Sequence, residues 1–264
     1  MKTVQPLLVD GHAHMCDPVF DHDREDVLAR ARDTGLAAIV SVGENLSDAH
    51  KNLALAKRFP MIKVAAGLYP TVLERDQAEE MYAFIRKNQA TLVAIGEVGL
   101  DYWVIKTDAQ KEIQREIFGR FVELSQEVDL PLNVHSRSAG RHAISLLLEK
   151  GAHKVQMHAF DGKASAALPA IEAGFYFSIP PSIDRSRQKQ KLVKQLPLSC
   201  LMVETDSPVL GPVPGVRNEP ANLSVSIEAI SKIKDLPREA VIEAVIDNTL
   251  SLYGKDRFRA RGSN

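Results

Sequence analysis

Eight times along this chain a short β-branched or apolar run gives way to a longer amphipathic stretch, and each run closes on polar residues or glycine. No other feature restricts the fold so tightly. The runs are expected as strands at 7–10, 37–42, 62–66, 92–95, 132–134, 155–157, 175–179 and 201–203, with helices in the intervals. Two intervals show their helical face directly. The stretch 108–128 sets Ile113, Ile117, Phe121 and Leu124 on one side, and 139–149 does the same with Ile144, Leu147 and Leu148. Gly35, Gly151 and Gly174 each fall between a helix and a strand, where a left-handed residue ends the helix. Eight strand–helix units in 264 residues suit an α/β fold of the (β/α)8 TIM barrel type, read as one domain over 1–264. A doubly wound dinucleotide-binding sheet is disfavoured because no GxGxxG follows the first strand.

Composition narrows the partners. With 45% hydrophobic residues the chain can bury a substantial core. Lys plus Arg total 33 against 34 for Asp plus Glu, so the net charge of -1 offers no global field for a polyanion, and any phosphate recognition must be local. Two cysteines, Cys16 and Cys200, are too few for a disulfide framework, and a reducing compartment is expected. The first residues build no signal-like apolar stretch and no run reaches membrane-spanning length. The expectation is a soluble intracellular protein, cytoplasmic or nuclear, without a membrane partner.

The polar residues that close the strands form a pattern of their own. Asp10-Gly-His12-Ala-His14, Glu97, His135, His158 and Glu204-Thr-Asp206 all lie at strand ends, the face of a barrel that carries active sites. His12 and His14 are two apart, so in an extended segment both side chains leave the same side, and Asp10 shares it. A lone histidine at such a place is more often a satisfied core residue, but convergence from five strands points to a metal. His22, His50, His142 and His153 fall in helices or turns and are assigned no role. Imidazole with carboxylate and no thiolate suits Zn, Mn, Fe or a more weakly held Mg. His12, His14, Glu97, His135, His158 and Asp206 are too many ligands for one tetrahedral ion with an open position. Two divalent ions sharing Glu97 would satisfy them and would activate water for hydrolysis.

At this point the residues resemble a known family. Asp10-Gly-His12-Ala-His14, Gly96-Glu97-Val98-Gly99-Leu100-Asp101, Asn133-Val134-His135-Ser136-Arg137, His158-Ala-Phe160-Asp-Gly162 and Glu204-Thr205-Asp206-Ser207-Pro208 are similar to signature segments of TatD-family metal-dependent deoxyribonucleases, across nearly the whole chain. The stretches 134–140, 177–183, 188–197 and 216–220 are similar to an animal subgroup of that family, the TatD DNase domain-containing protein 3 group. The resemblance implies a metallo-dependent hydrolase barrel with two divalent ions, Zn as bound with Mn or Mg able to support activity. It also implies 3′-to-5′ exonuclease and abasic-site endonuclease activity on DNA, at single-stranded 3′ ends or abasic sites, and a place in DNA repair. Carried over by position, His12, His14, Glu97 and Asp206 match the ligands of one metal, and Glu97, His135 and His158 those of the other.

Further roles are expected around these ligands. Glu204 and Asp206 are the expected catalytic carboxylates, Glu204 either orienting the water or accepting its proton, or equally supporting the ligands structurally from behind. Arg137 is placed for a phosphate contact or a barrel-rim salt bridge, and Arg217 and Asn218, in the Pro-rich loop after the eighth strand, either hold nucleotide or close that loop. Many TatD proteins carry Gly-x-His-Pro after the third strand. This chain reads Gly67-Leu68-Tyr69-Pro70, so Tyr69 offers a hydrogen bond but no charge. The basic run 185–194 opens a helix with cations against its dipole and is a candidate phosphate track, with a solvated face as the ordinary alternative, while Tyr102 and Trp103 are able to stack a base. Two other functions suit the same residues. One is an amidohydrolase-like enzyme acting on a small ester, lactone or cyclic amide, and the other a metal-stabilised binding module.

Overall fold

The computed structural model describes residues 8–258, so Leu7, expected to open the first strand, and the N-terminal segment searched for a signal lie outside the described residues. Eight strands, β1 (Leu8–Ala13), β2 (Leu36–Ser41), β3 (Ile62–Ala66), β4 (Leu92–Gly99), β5 (Leu132–His135), β6 (Val155–Met157), β7 (Tyr176–Ile179) and β8 (Leu201–Val203), form one parallel sheet in chain order. Across the last seam, His14 N–H donates to Ser207 O and Asp206 N–H to His12 O, both at 2.8 Å, and these bonds bring the sheet nearly to closure as a barrel. The helices are α1 (Arg24–Asp33), α2 (Leu46–Arg58), α3 (Arg75–Asn88), α4 (Asp108–Glu127), α5 (Gly140–Glu149), α6 (Ala164–Glu172), α7 (Arg187–Gln195), α8 (Leu223–Lys234) and α9 (Arg238–Tyr253). No described helix is long and apolar enough to cross a membrane.

Alternation along the strands divides the core in two. Leu8, Ile39, Val64, Ala66, Ile95, Leu132, Val134, Leu201 and Val203 pack outward against the helices, Phe121 and Leu147 among their partners. Burying each such large side chain contributes roughly 1.5–3 kcal/mol. Their neighbours Val9, Ala38, Val40, Ala65, Ala94 and Met202 point the other way, into a smaller cluster closed by Leu252, Tyr253 and Phe258 from the C-terminal end. The next inward positions along β5, β6 and β7 are polar: Asn133, Gln156 and Ser178, all buried.

Gly35, Gly151 and Gly174 take φ of +91°, +67° and +80°, as the turns between helix and strand require. β1 and β4 run three and four residues past their expected ends, to Ala13 and Gly99. The expected ends followed the polar and glycine residues Asp10, Gly11 and Gly96, which a barrel interior accommodates by hydrogen bonding across strands. Helix α9 was not anticipated as a separate element. It follows α8 through Asp235, at φ +54°, and Pro237, which halts one helix and starts the next.

Candidate metal centre

Four side-chain atoms from three strand ends converge on one point. His12 Nε2 lies 3.3 Å from His14 Nε2 and 3.4 Å from Asp206 Oδ1. His14 Nε2 lies 3.5 Å from both Asp206 Oδ1 and Glu97 Oε2, and His12 Nε2 is 3.7 Å from Glu97 Oε2. Around a tetrahedral ion with bonds of about 2.0–2.1 Å, ligand atoms stand about 3.3–3.4 Å apart. The set therefore fits a small divalent cation with little rearrangement. β1 puts His12 and His14 on the same side, as their spacing requires. Asp206 is turned into the group by a left-handed backbone, φ +55°, in the segment that closes the barrel seam.

A second group shares Glu97. Its Oε1 lies 2.6 Å from His135 Nδ1 and 3.9 Å from His158 Nε2, and Asp206 Oδ2 is 3.8 Å from His158 Nε2. Both carboxylates thus direct one oxygen to the first histidine pair and one towards the second group. The 2.6 Å contact is a hydrogen bond that pairs His135 with Glu97, while His158 stands further off than any member of the first group. Glu97, His135 and His158 together have the ligand types and proximity to hold an ion, as do His12, His14 and Glu97.

The electrostatics are those of imidazoles facing buried carboxylates. Burial disfavours charge on His12, but the Asp206 hydrogen bond and the Glu97, Asp206 and Glu204 charges outweigh it and push the imidazole up to about 10. The same contest takes His135 up to about 9, with Glu97 and Asp101 overcoming burial. Burial would raise Glu97 and Asp206, yet the surrounding imidazoles hold both well below the usual carboxylate range. A divalent cation at this point would supply that positive charge in place of protons.

Behind the ligands stands a buried hydrogen-bonded layer that fixes which nitrogen faces the centre. His12 Nδ1 meets Asn133 Oδ1 at 2.8 Å, His158 Nδ1 meets Glu204 Oε2 at 2.9 Å, and His135 Nε2 meets Asp101 Oδ2 at 3.2 Å. Each contact leaves the opposite nitrogen for the cluster. Glu204 is held on every side: it accepts from Ser178 Oγ at 2.5 Å, from Ala159 N–H at 2.8 Å and from Gln156 Nε2 at 3.5 Å. Asn133 and Gln156 then meet at one hydroxyl. Asn133 Nδ2 lies 3.4 Å from Tyr253 Oη, which donates to Gln156 Oε1 at 2.6 Å.

The other expected residues divide. Tyr69 sits edge-on to His135, with ring centroids 5.1 Å apart, and burial together with the Glu97, Asp101 and Glu44 charges pushes its phenol up, keeping it a neutral donor at the centre. Arg137 is exposed beside the mouth with its guanidinium over the Trp103 ring. Arg217, expected to meet nucleotide, instead grips Asp23, with Nη1 to Oδ1 at 2.8 Å, and donates to Val19 O at 3.0 Å. Asn218, buried, donates to Thr205 O at 2.7 Å and Val209 O at 2.8 Å, so of its two expected roles it is engaged in closing the loop. Asp10, expected to share the ligands' side, turns to the barrel seam, where it accepts from Thr205 N–H at 2.8 Å and Thr205 Oγ1 at 2.5 Å. Burial pushes it up to about 7.

Nor is the 185–194 run an open phosphate track throughout. Lys189 is buried and donates to Ala159 O at 2.9 Å, bracing the turn that presents His158. Cys16 is buried, its thiol pushed up to about 12 by burial, and stays apart from the ligands. Sequence reasoning gave no role to Asp101, Asn133, Gln156, Ser178 or Tyr253. For Asn133 and Gln156 a signal existed, since each is a polar residue two before a strand-end histidine and so faces the same interior.

Comparisons with known proteins agree with this geometry. The family model described as TatD related DNase matches residues 9–254. The human protein named Deoxyribonuclease TATDN3 is 46% identical over 272 aligned residues, spanning 97% of this chain and 98% of that protein. The Bacillus subtilis protein named Uncharacterized metal-dependent hydrolase YabD is 34% identical, over 94% of this chain and 99% of that protein. Among solved structures, the TatD homolog YJJV from Escherichia coli superposes with a TM-score of 0.86 at 26% identity, covering 93% of this chain and 97% of that one.

Proposed function

The chain belongs to the TatD related DNase family, and from that premise we propose that it is a two-metal phosphodiesterase acting on DNA, as a 3′-to-5′ exonuclease and at abasic sites. The observation that carries the reading is Glu97, whose two carboxylate oxygens face different histidine pairs, His12 with His14 and His135 with His158. His12, His14, Glu97 and Asp206 would hold one divalent ion and Glu97, His135 and His158 the other, with Zn, Mn or Mg all compatible with the donors. Such ions, when bound, lower the pKa of water and stabilise charge developing on a phosphoryl group.

The chain's own residues do the positioning. Asn133, Asp101 and Glu204 hold the His12, His135 and His158 rings so that the other nitrogen of each turns to the cluster. Because Glu204 is fully engaged by protein donors, it acts through His158 and not as the base that takes the proton from water. Asp206 keeps an oxygen towards each group and is the better placed carboxylate to orient a nucleophilic water. Tyr69 offers an uncharged hydrogen bond to a phosphate oxygen, and Arg137 a charged one.

The test is cleavage of 3′-labelled single-stranded DNA and of a duplex with one abasic site, by protein stripped with EDTA and reloaded with Zn, Mn or Mg. Metal-dependent release of nucleotides or incision at the abasic site is expected. Cleavage of neither substrate, with turnover of a lactone or cyclic amide by the same preparation, would instead establish an amidohydrolase-like activity.

A further inference from the structure

Outside the metal cluster, the loops after β4 and β5 and the adjoining turns of α4 and α5 gather aromatic rings and cations on one exposed patch. Trp103 is 58% exposed, with Arg137 and Lys106 over its ring at 5.2 and 5.3 Å from the centroid. Beside it, the Tyr102 ring has Lys111 Nζ at 5.3 Å and the His142 ring at 5.2 Å. The His142 imidazole is held below its ordinary value, first by burial and then by the Arg141, Arg115 and Lys111 charges, a sign of local positive potential. Opposing charge comes from Asp108, 3.3 Å from Lys111, Glu112, 3.7 Å from Arg115, and Asp161, which accepts from Ser138 N–H at 3.0 Å beside Arg137, and all three carboxylates are exposed and easily screened. On a chain with net charge -1, five cations interleaved with two aromatic rings form a distinct field.

The patch is fastened to the centre. Trp103 and Val104 N–H groups donate to Asp101 Oδ1 at 2.8 and 2.9 Å, and the other oxygen of Asp101 lies 3.2 Å from His135 Nε2. Tyr102 N–H donates to Arg137 O at 3.0 Å, locking the two loops together two residues beyond His135. The carboxylate that orients a metal-facing imidazole therefore also sets the turn that carries Trp103.

We propose that this patch is the track for a single-stranded DNA segment adjoining the cleaved bond. Trp103 stacks on an unpaired base, while Arg137, Lys106, Lys111, Arg115 and Arg141 receive the neighbouring phosphates. Flat apolar bases strung on an anionic backbone match such a surface, and stacking on an exposed ring is indifferent to base identity. The proposal rests on the nuclease reading for its ligand, and it sets the form of that ligand: a strand must be unpaired to place a base on Trp103.

The experiment is fluorescence-anisotropy binding of a phosphorothioate single-stranded oligonucleotide to the metal-loaded protein. Trp103→Ala should weaken binding about tenfold, the loss of one base stack, while keeping its metal content and thermal midpoint. The loss should vanish when the stacked base is replaced by a tetrahydrofuran abasic residue, and Trp103→Phe should retain most of the affinity. Lys111→Gln and Arg141→Gln should each flatten the slope of log affinity against log salt by about 0.7. Affinity within twofold of the parent in Trp103→Ala, unchanged salt slopes, or tighter binding of duplex or RNA than of single-stranded DNA would each overturn the track. A parent protein that binds as described but cleaves no DNA with any metal would overturn the nuclease reading and leave the track standing.

Discussion

Glu97 shows how much one residue carries in this protein. It is 2% exposed, its two oxygens face separate histidine pairs, and the imidazoles around it hold its carboxyl well below the usual range. Removing it leaves imidazoles without the charge they share. Glu97→Ala is expected to lower bound metal and DNA cleavage together, cleavage by at least about a thousandfold for loss of a group central to charge stabilisation. Metal analysis by mass spectrometry alongside the nuclease assay checks this, and a variant that kept two ions would show that Glu97 is not the bridge. Gly99, also near the centre, is fixed by a different cause. Its φ of +147° is open to glycine, and a side chain there would run into the His135 carbonyl.

At the scale of elements, β5 and β6 each present a polar residue two positions before a histidine, Asn133-Val-His135 and Gln156-Met-His158. Strand alternation stacks the pairs as layers inside the barrel, the polar layer beneath the ligands. Helix α9 reaches that layer through Tyr253, whose hydroxyl lies against both Asn133 and Gln156 and thereby connects to His12 on one side and to Ser178, Glu204 and His158 on the other. Tyr253→Phe removes the hydroxyl and leaves the buried ring. Release of metal to a chelator should then accelerate about tenfold, at the lower end of what outer hydrogen-bond partners of metal ligands contribute, with the helical circular dichroism unchanged. Release at the parent rate would confine Tyr253 to packing against Phe258.

For the whole molecule, the cluster links stability to pH. His12 and His135, at about 10 and about 9, lie above their ordinary 6.5, so in metal-free protein their stabilising contribution is complete below pH 6.5 and is lost as pH climbs through 9 and 10. Glu97 and Asp206 shift the other way, from 4.5 and 3.8, and their contribution disappears as pH falls below those values. Calorimetry of the EDTA-treated protein should therefore show a thermal midpoint that declines from pH 7 to 10. The metal-loaded protein, whose ligand imidazoles are neutral, should not share that decline, and metal affinity should rise with pH because binding displaces protons. A flat profile for the metal-free protein would mean that the imidazoles are neutral without metal.

Hydrophobic periodicity and strand-end chemistry are local properties, and they sufficed for the eight strand–helix units, the glycine turns and the inventory of His12, His14, Glu97, His135, His158 and Asp206. What residues bond to across the barrel is not local. Tertiary structure alone turned Asp10 to Thr205, Arg217 to Asp23 and Asn218 into its own loop, buried Lys189 out of a run that reads as solvated, and brought Tyr253 of an unanticipated helix under the ligands. The periodic fold and the clustered His and carboxylate side chains follow from side-chain type and spacing along one strand or helix, and so are written in the chain itself. The partners of those donors were decided only by closure of the barrel, which places residues more than a hundred positions apart, such as His12 and Asn133, within 2.8 Å.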